Sequence, residues 1–258
     1  MPSMTPTSIG GLRMTLPLVF IWFYLKTSGT KVFRDNLTTM LTASALNAFR
    51  LYFYFIAFIM TSVAAAVILF YCFPIFVALI GHYFLKERMS KKQWMYLILA
   101  FVGIIISYSN QSFSFQNEDF IGMSAALISG LGYAITVVLF KTQSENYTST
   151  EMVFYQNLVG CIIFLPFFIF HFPNVSIQDI GICFLYSLLI GFVVFKLFFI
   201  GLKSMEASVA SSIMYLEIVA AFVYSYLLLG ERLSVNAVIG GAIIVLSSFM
   251  INRARLRS

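Results

Sequence analysis

Charged and strongly polar residues gather into short clusters along the chain, and nearly unbroken apolar sequence runs between them. Read from one cluster, proline or polar group to the next, the pattern predicts nine helices. They cover 8–25, 37–60, 62–85, 92–108, 119–140, 152–171, 180–202, 207–229 and 235–252. A hydrocarbon layer of about 30 Å takes roughly 20 apolar residues at 1.5 Å rise, so these runs are of crossing length. A transmembrane barrel would need short segments alternating apolar and polar, and these runs are continuous. The joins at Thr61–Ser62 and Lys203–Glu206 leave little more than a turn, which predicts tight helical hairpins.

The polar punctuation itself occurs twice. Leu85–Ser90 reads LKERMS and Leu229–Ser234 reads LGERLS, in register at an offset of 144 residues. At that offset 37–60 pairs with 180–202, 62–85 with 207–229, 92–108 with 235–252 and 8–25 with 152–171. The pairing brings together Phe55/Phe199, Ile56/Ile200, Ala66/Ala210 and Tyr71/Tyr215, while 119–140 has no mate. The expectation is two repeats, residues 1–110 and 111–258, the first lacking its opening helix, either because the chain starts late in a ten-helix pattern or because the protein is a true nine-helix variant. Five helices per repeat is an odd number, so the second copy lies inverted in the membrane. Inverted repeats of this kind mark many secondary transporters, with the substrate near the midplane.

Composition agrees with a polytopic all-α membrane protein. Hydrophobic residues make up 60% and charged residues 10%, with a mean hydropathy of +0.93, against about 25% charged in soluble domains. Lys26, Lys31, Arg34, Lys86, Arg88, Lys91, Lys92, Lys141, Lys203, Arg253, Arg255 and Arg257 collect on one side, and only Arg13 and Arg232 on the other. Positive residues stay inside, so the C-terminus is expected to be cytoplasmic. The net charge of +6 is then a topology signal, and no nucleic-acid partner is called for. No cleavable signal precedes the first span. Cys72, Cys161 and Cys183 lie inside apolar runs without metal or redox spacing and read as packing residues. His82 and His171 sit near span ends, so neither a metal, a cofactor nor an intramembrane enzyme finds a constellation to use.

The run TSVAAAVILFYCFPIFVALIGHYFLKERMSKKQ and its partner MEASVASSIMYLEIVAAFVYSYLLLGERLSVNAVIGGAIIVL resemble the two halves of the EamA family, in the drug/metabolite transporter superfamily. The resemblance covers nearly the whole chain from about residue 8. It implies ten helices in two inverted five-helix repeats, exporting or exchanging small metabolites across the bacterial inner membrane. The partners implied are a small-molecule substrate and the lipid bilayer, and a homodimer is left open. A non-transporting membrane protein and an intramembrane enzyme are the alternatives. Where the second repeat of the family often has Pro after Glu, this chain has Ile218, whereas Pro74 keeps that position in the first. Without the ring the second helix is expected to bend less.

Ionisable groups at membrane depth are costly and point to function. Arg50, Lys196 and Glu217 fall well inside their spans. Arg50 shares a helical face with Asn47 and Tyr54, which reads as a cavity wall or as a structural partner for Glu217. Lys196 is also within reach of the interface. Glu217 falls roughly opposite Ser208 on its helix, so either the small polar face or Glu217 lines a cavity; proton coupling is a second use for that carboxylate. Tyr71 and Tyr215 occupy equivalent positions of inverted repeats and should face a shared space. Tyr133, Gln156 and Asn157 add hydrogen-bonding groups. Two cations against one carboxylate favour a solute with a carboxylate or phosphate, including an amino-acid zwitterion.

Overall fold

The computed structural model describes residues 5–29, 37–111, 116–171, 176–230 and 232–255. Lys31, Arg34, Glu231 and Arg257, and the side chains of His171, Leu229 and Arg255, lie outside the described residues. All regular structure among the described residues is helical: α1 Pro6–Thr27, α2 Thr38–Met60, α3 Val63–Phe70, α4 Phe73–Phe84, α5 Lys91–Ser107, α6 Asn117–Gln143, α7 Ser149–His171, α8 Ile177–Leu188, α9 Phe195–Ser204, α10 Ala207–Ile213, α11 Leu216–Leu229 and α12 Val235–Arg255. A π-helical segment, Leu189–Val194, joins α8 to α9. Taking α3–α4, α8–α9 and α10–α11 as single crossings, eight stretches are long and apolar enough to span a bilayer. Helix α5, at 17 residues, is marginally shorter. The protein is therefore an all-α polytopic membrane protein, and the apolar runs of the sequence are its helices.

Helix starts follow local chemistry. Thr5 caps α1 ahead of Pro6, which needs no N–H at that position. Ser90 and Gln93 close a capping box at α5, and the Ser234 hydroxyl accepts from the N–H of Ala237 at 3.1 Å at α12. The serines that end LKERMS and LGERLS are thus helix caps.

Two crossings are interrupted within one residue of the same register. Helix α3 gives way to α4 at Tyr71–Cys72, and α10 to α11 at Met214–Tyr215. The backbone stays paired by tightening: Cys72 donates to the Leu69 carbonyl at 3.3 Å, and Met214, Tyr215 and Glu217 donate three residues back at 3.0–3.3 Å. Pro74 accounts for the first interruption. The second occurs without a proline, contrary to the expectation from Ile218. There the Ser211 and Ser212 hydroxyls bond the carbonyls of Ser208 and Val209, at 3.0 and 2.8 Å, and such back-bonding bends helices.

The chain divides into two compact units, Met1–Phe55 with Ile135–Ser204, and Ile56–Ala134 with Met205–Ser258. In the first, α1 lies along α7. Gly11 brings α1 against the Phe164 carbonyl, and Met14, Ala48, Leu51 and Phe164 pack together. The Nζ of Lys141 donates to the Leu202 carbonyl in the last turn of α9 at 2.8 Å, and that of Lys203 to the Tyr147 carbonyl in the α6–α7 loop at 2.7 Å.

In the second unit α5 lies along α12, with the backbones touching at Gly103 and Gly240. Small residues allow this approach where lipid supplies no hydrophobic drive. A Cβ on Gly103 would stand 2.9 Å from the Gly240 carbonyl oxygen. Gly103→Leu is expected to cost about 1–3 kcal/mol through overpacking, read as a lower melting temperature in detergent. Gly181→Ala, where nothing lies within 4 Å, should leave the melting temperature within error.

Candidate functional site

Six of the ten candidate residues belong to the first unit. Asn47 and Arg50 are one turn apart on α2, and Arg50 is 6% exposed. Its Nε and Nη2 donate to the Asn47 Oδ1 at 3.1 and 2.9 Å, so the amide carbonyl spends itself on the guanidinium. That leaves the Asn47 Nδ2 buried without a partner among the described residues. Tyr54, one turn further, is half-buried.

On α7 the adjacent Gln156 and Asn157 are both buried but differ in use. The Asn157 Nδ2 donates to the Val153 carbonyl at 2.9 Å and to the Gly191 carbonyl at 3.0 Å. Gly191 lies in the π segment. Asn157 is therefore a strut for that segment. The Gln156 Nε2 is buried and has no partner among the described residues. Lys196 is half-buried, with Nζ 5.3 Å from the Phe192 ring and 5.8 Å from the Tyr24 ring. Rings of this kind hold a cation by their π faces.

Arg13, counted as an outer-face charge in the sequence, sits inside α1 with its guanidinium 5.5 Å from the Phe195 ring and its Nε buried without a hydrogen-bond partner among the described residues. Its place seven residues into the first helix was the available signal. Among the described residues, Arg13, Asn47 and Gln156 thus give this unit three buried nitrogen donors without acceptors, and Asn47 lies against the Arg50 guanidinium. Buried donors in excess of acceptors suit an anion.

The second unit holds Tyr71, Tyr133, Tyr215 and Glu217. The three tyrosines meet where the crossings are interrupted. Tyr71 and Tyr215 have ring centroids 6.2 Å apart, Tyr133 stacks on Phe70 at 5.9 Å, and Phe73 meets Tyr133 edge-on at 4.8 Å. The Tyr133 hydroxyl donates to the Met214 sulfur at 3.8 Å. Tyr215 is fully buried, and its hydroxyl has no partner among the described residues. Glu217, by contrast, is exposed at the first turn of α11.

One residue of this unit was read only as punctuation. The Glu87 carboxylate accepts hydrogen bonds from the N–H groups of Ala207 and Ser208, at 2.7 and 3.2 Å, and from the Ser208 hydroxyl at 3.0 Å. Helix α10 has no side-chain cap of its own at Glu206. A helix start without Ser, Thr, Asp or Asn was the sign that a remote acceptor was needed.

Asn157→Ala, which removes the side-chain donor to the Val153 and Gly191 carbonyls, is expected to lower stability by about 1–3 kcal/mol in a thermal melt. Tyr215→Phe removes a hydroxyl that has no partner among the described residues, and its melting temperature should equal or exceed that of the parent.

Several known proteins share this organisation. The uncharacterized transporter YoaV of Bacillus subtilis is 27% identical over 71% of this chain and 64% of its own length. An uncharacterized transporter of Archaeoglobus fulgidus is 28% identical over 80% of this chain and 73% of its own. The S-adenosylmethionine uptake transporter of Rickettsia bellii is 21% identical over 73% of this chain and 63% of its own. The chain thus spans about 64% of the length of the first of these relatives. A crystal structure of a protein 18% identical superimposes with a TM-score of 0.82, over 99% of this chain and 90% of that one, which shows a shared fold. The sequence profile of the EamA-like transporter family matches residues 1–109 and 120–253, and the chain belongs to that family.

Proposed function

We propose that this protein carries a small solute bearing a carboxylate or phosphate across a bacterial inner membrane, by alternating access of two inverted repeats, residues 1–110 and 111–258, in export or exchange. The C-terminus is on the cytoplasmic side in this reading, following the distribution of Lys and Arg. The observation that carries the solute class is the excess of buried donors in the first unit. Arg50 is buried with its partner Asn47, and the amide nitrogens of Asn47 and Gln156 have no acceptor among the described residues.

Such donors are expensive to bury in hydrocarbon and are repaid when an oxyanion arrives. Arg50 meets a planar carboxylate or a phosphate with two parallel N–H bonds. Lys196, held by ring faces, adds charge that is free to move. An amino-acid carboxylate satisfies these groups, and S-adenosylmethionine, for which the Rickettsia relative is named, bears one.

Counterflow in proteoliposomes tests the reading with a panel of amino acids, organic phosphates and uncharged solutes. Arg50→Ala is expected to lower flux of the anionic solutes about tenfold or more, since a bond to a charged group contributes about 1.5–3 kcal/mol. Arg50→Lys should keep part of that flux, and Lys196→Ala should lose less than Arg50→Ala. Full anion flux in Arg50→Ala would overturn the assignment.

A further inference from the structure

Helices α3–α4 and α10–α11 share a register, so a symmetric state would bury equivalent positions equally. They are buried unequally. Phe73, Val77 and Gly81 form one face of α4 at four-residue spacing, and all three are buried. Their counterparts 144 residues on, Glu217, Ala221 and Ser225 of α11, are exposed, exposed and half-buried. Helix α10 is buried from Ala207 to Ser212 and packs along α4. Its counterpart α3 also buries Ala64, Ala65 and Ala66, but it starts at Val63, 58% exposed, and makes no comparable packing with α11 among the described residues. One end of the crossing pair is closed and the equivalent other end is open.

The closed end has a built fastening. Lys86 takes a left-handed conformation, φ 57°, that turns the chain back after α4. The N–H of Glu87 then donates to the Gly81 carbonyl at 3.3 Å. Gly81 leaves room for the returning side chain, since a Cβ there would stand 3.4 Å from the Glu87 Oε2. So placed, the carboxylate takes its three hydrogen bonds from Ala207 and Ser208. Those N–H groups begin a helix, where partial positive charge favours an anion.

We infer that Glu87 is the latch of the gate at this end, and that the structure is the half of the cycle closed at Glu87 and open at the α3–α11 end. The inference rests on the transport reading above. To open this end, Glu87 releases Ala207 and Ser208, α10 leaves α4, and α11 swings onto α3. The tightened turns at Tyr71–Cys72 and Met214–Tyr215 are the hinges. Glu87 acts on transport through α10, as a positioning residue.

Distances between paired spin labels, measured on the full chain in lipid nanodiscs with Cys72, Cys161 and Cys183 replaced, test the latch. One pair, Phe84→Cys with Met205→Cys, reads the Glu87 end, and Val63→Cys with Leu228→Cys reads the other. The parent should give a short distance at the Glu87 end and a long one opposite. Glu87→Ala and Glu87→Gln should shift the ratio of the two populations about tenfold, lengthening the first distance and shortening the second together. Glu87→Asp should restore part of the shift. Ser208→Ala, which removes one of three bonds, should shift it less in the same direction. Unchanged distances in Glu87→Ala, or lengthening at both ends at once, would overturn the latch. These distances are read without solute, so the test stands even if Arg50→Ala keeps its anion flux.

Discussion

A peptide group left unpaired in hydrocarbon costs several kcal/mol, so a membrane-spanning helix is interrupted only where something else takes over its hydrogen bonds. Among the described residues the chain is interrupted three times within its crossings, and the crossing that starts at α10 has no side-chain cap of its own; the repairs are visible. At Tyr71–Cys72 and Met214–Tyr215 the backbone shortens its own bonds to three residues back. In the π segment the Asn157 side chain reaches from α7 to the Gly191 carbonyl. At the start of α10 a carboxylate from the α4–α5 turn supplies the cap. The polar side chains in the apolar runs are in large part the cost of these interruptions, and the ones not so used stand out as candidates for solute.

That division explains what could be read from the sequence. The crossings were legible because hydrocarbon demands long apolar runs, and 37–60 and 62–85 became Thr38–Met60 and Val63–Phe84 with its break. The Asn47–Arg50 pair was legible because helical spacing alone puts the two side chains on one face. The offset brought Tyr71 to Tyr215, and their rings do meet. The break without a proline was not legible, because serine hydroxyls bend a helix only when they turn back on their own carbonyls, a choice made by packing. Nor was the partner of Glu87, 120 residues away along the chain. Gln156 and Asn157 look alike in the sequence, and only the position of Gly191 separates a strut from an unspent donor.

Arg50, Arg13 and Lys196 handle the same problem in three ways. Arg50 is neutralised in part by a neighbouring amide, whereas Arg13 and Lys196 lean on aromatic rings. The aromatic rings beside Arg13 and Lys196 temper the cost of a buried cation without cancelling it.

The two halves of an inverted repeat cannot be identical in energy if one state is to be preferred, and the sequence already differs at the fastening. The position equivalent to Glu206 is Ser62, whose hydroxyl accepts from the N–H of Ala65 and caps α3 locally at 3.2 Å. The position equivalent to Ser208 is Ala64, which has no hydroxyl to give. Helix α3 thus begins self-sufficient, while α10 begins dependent on Glu87 and offers it one more donor than α3 offers anything. A single hydrogen bond to a charged group is worth about 1.5–3 kcal/mol, which is a tenfold or larger bias in a two-state equilibrium. A helix start that borrows its cap on one side and one that caps itself on the other suffice to tilt a symmetric fold toward one of its two states.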